Sequence, residues 1–232
     1  SPLALAVKKS SGIESFKDLR SKRVMIQSDG MDAVILAAIY KAGLTGSDIV
    51  QQPSSFDLND LILGATDAFS IYTTDQPRQL EALGVEYHIL NPIESDIDFY
   101  GDVIIASEQE VQNHPDRVDS FLRASIKGWH YALEHPDEAI ALIQDEYNSQ
   151  RLPYKQLKFE ADKTADIIIK DEIELGYISE HRWSYIGKIY HELNLISEPF
   201  DLNGFVYKPK PSLIGYISQH RWQIFISLLL LI

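Results

Sequence analysis

RVMIQSDGMDAVILAAIYKA, residues 23–42, is the stretch that decides the fold class of this chain. Its first five residues form a short apolar run that is typical of a buried β-strand. The polar loop Ser28-Asp29-Gly30 follows, and apolar side chains then recur at helical spacing from residue 31 to residue 42. Gly43 suits the position just beyond a helix end. The stretch therefore predicts a strand, a tight loop and a helix, the repeating unit of an α/β sheet.

The same alternation continues on both sides of this stretch. Further strands are predicted at residues 3–7, 49–52, 67–72, 86–90 and 102–106, and short helices at 16–19, 58–63 and 76–83. Short connections between strands and helices predict a mostly parallel sheet with helices on both faces. Helices dominate after residue 106, and we predict them at 115–134, 136–147, 154–171 and 181–193.

The composition narrows the classes of function. The chain has 232 residues, 45% of them hydrophobic, which is enough for one or two cores. Its formal net charge of -13 disfavours a nucleic-acid partner, because phosphate backbones need clustered Lys and Arg. The absence of cysteine excludes thiol nucleophiles, Cys-ligated metals and disulfides. Phosphate-loop, HExxH and GxSxG patterns are also missing, so we predict no catalytic residues, no metal and no cofactor in this region.

Polar clusters flank three of the predicted strands, after residues 27 and 72 and before residue 102. Ligands of α/β sheets bind at the carboxyl ends of strands, beside the following helix. Hydrogen-bonding and aromatic side chains there suit a planar, polar small molecule. Asp29 and Asp32, near a helix start, would disfavour an anionic ligand. Capping and turn chemistry is the alternative explanation for each cluster. The candidate ligand-binding residues are Ser28, Asp29, Asp32, Tyr72, Thr73, Asp75, Phe99, Tyr100, Gly101 and Asp102.

The last residues, IFISLLLLI at 224–232, form an apolar run after Arg221 and Trp222. A membrane-spanning helix needs about 20 apolar residues, and basic and aromatic residues favour its headgroup boundary. We expect this run to be the start of a transmembrane helix; a buried core helix is the alternative. The chain does not begin with Met and has no signal-like run, which predicts a processed or cut fragment.

Four segments resemble the thiamine-pyrimidine-precursor family of periplasmic binding proteins, which is related to nitrate, sulfonate and taurine binding proteins. They are SFKDLRSKRVMI at 15–26, DAFSIYTTDQP at 67–77, IDFYGD at 97–102 and LGYISEHRW at 175–183. The resemblance covers residues 1–207 and implies a type II fold, in which two lobes close on a ligand. It implies N-terminal truncation, with lobe one at 1–20 and 101–211, lobe two at 21–100, and a linker and membrane helix at 212–232.

The resembling family includes importer binding proteins, membrane-tethered sensor domains, and fungal enzymes that make the thiamine pyrimidine. The missing cysteines argue against the enzyme, and the apolar tail favours the sensor. We therefore expect an extracytoplasmic sensor domain of a histidine kinase or diguanylate cyclase receptor, recognising a small polar, pyrimidine-like molecule. It would lie on the periplasmic side of the bacterial inner membrane and dimerise through its membrane and cytoplasmic regions. A solute-binding component of an importer and a pyrimidine-forming enzyme are the alternatives.

Overall fold

A computed structural model of the protein describes residues 1–27, 30–168, 173–197 and 200–209. One sheet contains the strands β1 (Leu3–Lys8), β2 (Arg23–Ile26), β3 (Val50–Pro53), β4 (Ala68–Tyr72) and β5 (Tyr87–Leu90). The helices that alternate with these strands are α1 (Ala33–Lys41), α2 (Asn59–Ile62) and α3 (Gln76–Ala82). The later helices are α4 (Glu108–Asn113), α5 (Pro115–Glu134), α6 (Pro136–Leu142), α7 (Tyr154–Ile167) and α8 (Glu180–Glu192).

The strand order is β3-β2-β4-β1-β5, and β1 is the strand that departs from the expectation. β2 runs parallel to β3 and β4, with Val24 opposite both Gln51 and Ala68. β1 runs antiparallel to both of its neighbours, with Leu5 opposite Ser70 on β4 and Leu90 on β5. The sheet is therefore mixed, not mostly parallel. A boundary between the two lobes was predicted at residue 20. β1 precedes this boundary and β2 to β5 follow it, yet all five strands belong to one sheet. The division into lobes stays a prediction.

Helices cover both faces of the sheet. Successive side chains of β1 point to opposite faces and show which helices pack on each face. Leu5 and Val7 belong to the core cluster that contains α1, whereas Ala4 and Ala6 pack with residues of α2 and α3. α1 buries side chains around most of its circumference, as a helix between two layers must. α8 forms part of the layer over α1 through Ile186, which is 6% exposed. The sheet therefore has α2 and α3 on one face and α1 on the other, and α8 packs on the far side of α1.

The segment at 102–106, predicted as a further strand, is not a strand. Ile104 is 51% exposed and Ile105 is 87% exposed. A strand requires backbone pairing with a neighbour, and none of the five strands within the described residues pairs with this segment. α5 has the predicted bounds, but its apolar stripe is also partly uncovered, since Phe121 and Trp129 are 62% and 48% exposed.

No helix in the described part of the chain is both long and apolar enough to cross a membrane. The transmembrane helix predicted from residues 224–232 falls outside the described residues.

The central position of β1 predicts a large loss of stability for Leu5→Ala. Leu5 is fully buried between β4 and β5, so the variant leaves a cavity and should lower the free energy of unfolding by about 2–5 kcal/mol. Val50→Ala is the control, because Val50 lies on the edge strand β3 and is 52% exposed; its cost should stay within about 0.5 kcal/mol. Urea denaturation measures both, and equal losses would contradict the position of β1.

Candidate functional site

Tyr72 lies at the carboxyl end of β4, near two carboxylates from distant segments. Burial of its hydroxyl, and then the negative charges of Asp102 and Asp32, raise the pKa of Tyr72. The residue nevertheless remains 41% exposed, so a ligand can reach it. Asp32 follows β2, the parallel neighbour of β4, and carboxyl ends of parallel strands meet at the same edge. The structure thus brings three of the predicted site residues together at this edge.

Asp32 is fully buried at the start of α1. Its Oδ2 atom accepts a 2.8 Å hydrogen bond from the Gln27 backbone N–H, whereas Oδ1 has no hydrogen-bond partner within the described residues. Burial raises the pKa of Asp32, and the Gln27 N–H and the Ser70 hydroxyl oppose this rise. Because the carboxyl lies below the surface, it influences a molecule at Tyr72 through its charge.

Thr73 and Gly101 lie at the same edge of the sheet, and both contact Pro2 near the start of the chain. The Thr73 N–H donates a 2.9 Å hydrogen bond to the Pro2 carbonyl oxygen. A Cβ atom at Gly101 would lie 3.1 Å from Pro2 Cδ, so glycine permits this close approach. Thr73 and Gly101 therefore have a structural role in fixing the position of Tyr72 and Asp102, whatever contact they make with a ligand.

Asp75 is the acceptor at the centre of a hydrogen-bond cluster beside Tyr72. Its Oδ2 accepts from Gln76 Nε2 at 2.7 Å, and its Oδ1 accepts from Gln79 Nε2 and Gln156 Nε2, both at 2.8 Å. Gln76 also accepts from the Tyr72 backbone N–H at 2.7 Å. Gln156 is not predictable from the sequence, because a single glutamine in a helix carries no local sign of a partner 81 positions away.

Phe99 lies in the core, where it is 5% exposed and its ring contacts Tyr185 and Tyr190 at centroid distances of 6.2 and 6.0 Å. Its position is explained by packing. Tyr100 has aromatic and cationic neighbours of its own, with the Trp183 ring at 5.3 Å and the Arg182 guanidinium at 5.0 Å from its ring centre.

The Tyr100 hydroxyl accepts a hydrogen bond from the Ser179 backbone N–H at 2.7 Å, at the start of α8. Both aromatic residues therefore attach α8 to the irregular segment that follows β5, and stacking on a ligand is not needed to explain either position. Ser28 and Asp29, the remaining predicted site residues, lie outside the described residues.

Two adjoining open grooves run along α8, with volumes of about 720 and 570 Å³. Both include His181 and Ser184, and neither is lined by a predicted site residue. Small-molecule sites enclose most of the ligand surface, which open grooves do not. We take the carboxyl edge around Tyr72 as the candidate site because of the chemistry of its side chains.

The profile of the NMT1/THI5-like family matches residues 1–139, more than half of the sequence. The chain belongs to the NMT1/THI5-like family. The matched residues include the whole sheet, Tyr72, Asp32 and Asp102.

Two curated relatives are similar to this chain over most of its length. The chain is 25% identical over 219 residues to the riboflavin-binding protein RibY of Chloroflexus aurantiacus, covering 87% of this chain and 59% of RibY. It is 28% identical over 219 residues to the 4-amino-5-hydroxymethyl-2-methylpyrimidine phosphate synthase of Legionella pneumophila, covering 87% of this chain and 63% of the synthase. The chain thus spans about three fifths of the length of these curated relatives.

The solved structure of the periplasmic aliphatic sulphonate binding protein SsuA from Escherichia coli superimposes with a TM-score of 0.67 at 16% sequence identity, covering 90% of this chain and 66% of SsuA. At this identity the likeness concerns the fold alone. It confirms the expected α/β fold, similar to that of periplasmic binding proteins, whereas the two lobes expected from the family resemblance stay a prediction.

The buried carboxyl of Asp32 predicts a stability change that depends on pH. A raised pKa in the folded state means that stability is highest below the ordinary Asp pKa and falls as the pH rises through the raised value. Asp32→Asn removes this cost and keeps an oxygen for the Gln27 N–H. The free energy of unfolding should therefore rise by about 1 kcal/mol or less at pH 7, since solvent near Tyr72 screens part of the charge, and should change less at pH 4.

Urea denaturation of both proteins at the two pH values measures this difference. An equal effect of Asp32→Asn at pH 4 and pH 7 would show that the charge of Asp32 carries no cost in the folded state. Asp57→Asn, on an exposed loop, is the control and should change stability little at either pH.

Proposed function

We propose that this chain is a ligand-binding module that recognises a small nitrogen heterocycle bearing N–H donors, such as an aminopyrimidine. The observation that carries the proposal is the exposed Tyr72 at the carboxyl end of β4, where Pro2 lies beside both Thr73 and Gly101 and the charges of Asp32 and Asp102 act on the Tyr72 hydroxyl. A tyrosine ring supports a planar heterocycle by stacking, and a carboxylate accepts hydrogen bonds from ring or exocyclic N–H groups. Two carboxylates at one edge also disfavour an anionic ligand, since like charges repel.

The names of the curated relatives support this ligand class. One is named for riboflavin and the other for a pyrimidine phosphate, both nitrogen heterocycles. The aliphatic sulphonate of SsuA is an anion, and the charges around Tyr72 argue against a ligand of that kind here.

We further propose that this module is the sensor domain of a receptor and lies on the periplasmic side of the bacterial inner membrane. The apolar run at 224–232 supports it, because a sensor domain would continue into a membrane helix and an importer component would not need one. Closure on a ligand would then move the attached helix, and dimerisation through the membrane region would pass the movement on. A ligand can drive this change only through a higher affinity for the closed form than for the open form.

A solute-binding component of an importer is the second candidate, and the fold shared with SsuA favours it. Reading the coding sequence beyond residue 232 separates the two candidates. A kinase or cyclase domain supports the sensor, whereas a stop codon there supports the importer component. The relationship to the synthase adds a third outcome, since formation of a pyrimidine product by the purified protein would favour an enzyme.

The ligand class predicts selective stabilisation by 4-aminopyrimidine and riboflavin over ethanesulphonate. In a thermal-shift titration, a ligand at 100 times its dissociation constant should stabilise the protein by about 2.7 kcal/mol. Tyr72→Ala and Asp102→Asn should each weaken binding by about tenfold or more, because the first removes the stacking surface and the second a charged acceptor.

Tyr40→Ala and Asp57→Asn are matched controls at exposed positions away from this edge. They should leave the affinity within about twofold of the wild type. Stronger binding of ethanesulphonate than of either heterocycle, or unchanged affinity in both site variants, would reject the proposal.

A further inference from the structure

α7 meets the sheet edge through a buried polar residue near its start. Gln156 is 7% exposed and its neighbour Leu157 is 6% exposed, and these are the two buried residues of α7. A buried amide is costly unless its hydrogen-bonding groups are paired. The pairing of Gln156 therefore decides whether this turn of α7 is stable in its place.

The Gln156 amide group lies between two carboxylates. Its Nε2 atom is 2.8 Å from Asp75 Oδ1 and 2.9 Å from Glu160 Oε1, with a longer 3.3 Å contact to the Asp75 carbonyl oxygen. A glutamine NH₂ group has two hydrogens, so it can serve both carboxylates at once. Glu160 belongs to α7, whereas Asp75 follows β4, so the amide joins two distant parts of the chain.

The two carboxylates repel each other, and the hydrogen bonds from the amide between them offset this repulsion. Burial raises the pKa of Glu160; the hydrogen bond from Gln156 opposes the rise, and the negative charge of Asp75 adds to it. Asp75 accepts from amide groups of Gln76, Gln79 and Gln156. Neutral donors hold this contact together, so loss of one donor weakens it directly.

A continuous path of hydrogen bonds leads from this contact to the proposed ligand site. Gln156 donates to Asp75, Gln76 donates to the other oxygen of Asp75, and the Tyr72 backbone N–H donates to Gln76 at 2.7 Å. The position of α7 and the position of Tyr72 are therefore linked through three side chains. A displacement of α7 that breaks the bond from Gln156 removes a donor from Asp75. Asp75 also accepts from Gln76, which in turn accepts from the Tyr72 backbone N–H.

We propose that Gln156 is a latch that holds α7 against the end of β4 and thereby positions Tyr72 for its ligand. The inference rests on the proposed function, because the ligand is taken to bind at Tyr72. Binding and latching are then reciprocal: a ligand that prefers the latched form stabilises the latch, and a weaker latch lowers the affinity by the same factor. Gln156 is a positioning residue in this scheme and does not touch the ligand.

The chain offers a clean way to measure the latch, because it contains no cysteine. Ala82→Cys on α3 and Lys155→Cys on α7 introduce two exposed labelling sites on either side of the contact. Pulsed electron paramagnetic resonance then gives the distance distribution between spin labels, with and without 4-aminopyrimidine. In this background Gln156→Glu removes the donor and adds a third carboxylate at almost unchanged volume.

The expected result is a longer and broader distance distribution in Gln156→Glu, with affinity for 4-aminopyrimidine lowered by about 5-fold to 20-fold. Gln144→Glu makes the same chemical change at an exposed position and should alter neither quantity. Glu160→Gln should act in the opposite direction: it keeps an acceptor for Gln156 and removes the repulsion from Asp75. Its distance distribution should be narrower than that of the wild type, and its affinity several-fold higher.

Opposite changes in distance and affinity in Gln156→Glu and Glu160→Gln distinguish a latch from a general loss of folding. Circular dichroism monitors the folding of each variant. An unchanged distance distribution in Gln156→Glu would overturn the latch. A changed distribution with unchanged affinity would overturn its coupling to the ligand. If wild-type protein binds no heterocycle, the proposed function fails, whereas the distances measured without ligand still decide whether Gln156 holds α7.

Discussion

Backbone pairing of β1 with both β4 and β5 is the constraint on which the rest of the structure depends. β1 lies between them and runs opposite to both, so it connects β5 to the parallel strands β3, β2 and β4. Its register places Leu3 opposite Tyr72, and the same ladder brings Pro2 beside Thr73 and Gly101. The edge that holds the proposed ligand site is therefore fixed by the first residues of the chain.

The chemistry of that edge is dominated by acidic groups whose neighbours are mostly uncharged donors. Asp32 accepts from a backbone N–H, and Asp75 accepts from three glutamine amides. Amide donors stabilise a carboxylate without cancelling its charge, in contrast to an arginine or lysine partner. The local negative potential thus remains available to a ligand that carries N–H groups, and this same potential is sensitive to the loss of any one donor.

Local features of the sequence were sufficient for most elements, and contacts between distant residues account for the failures. The bounds of α5 and the strand at 23–26 follow from periodicity and helix-start residues, which act over a few positions. The direction of β1, and whether residues 102–106 form a strand, depend on which strand lies alongside. Phe99 is buried because aromatic rings of α8 pack against it. The proximity of Asp32 and Tyr72 was predictable, because both follow or end neighbouring parallel strands. The contact of Gln156 with Asp75 was not predictable. The assignment of Asp32 and Tyr72 to a ligand stays a prediction.

The apolar residues 103–106, which pair with none of the five strands in the described part of the chain, have a consequence for the behaviour of this chain at high concentration. Exposed, β-branched segments of this kind, here with Ile104 and Ile105 at the surface, are templates for pairing between molecules and hence for aggregation. The net charge of -13 opposes such association by keeping molecules apart. Salt screens this repulsion beyond about 8 Å at physiological ionic strength, so the solubility of the isolated chain should depend on charge repulsion more than on the protection of its apolar surface.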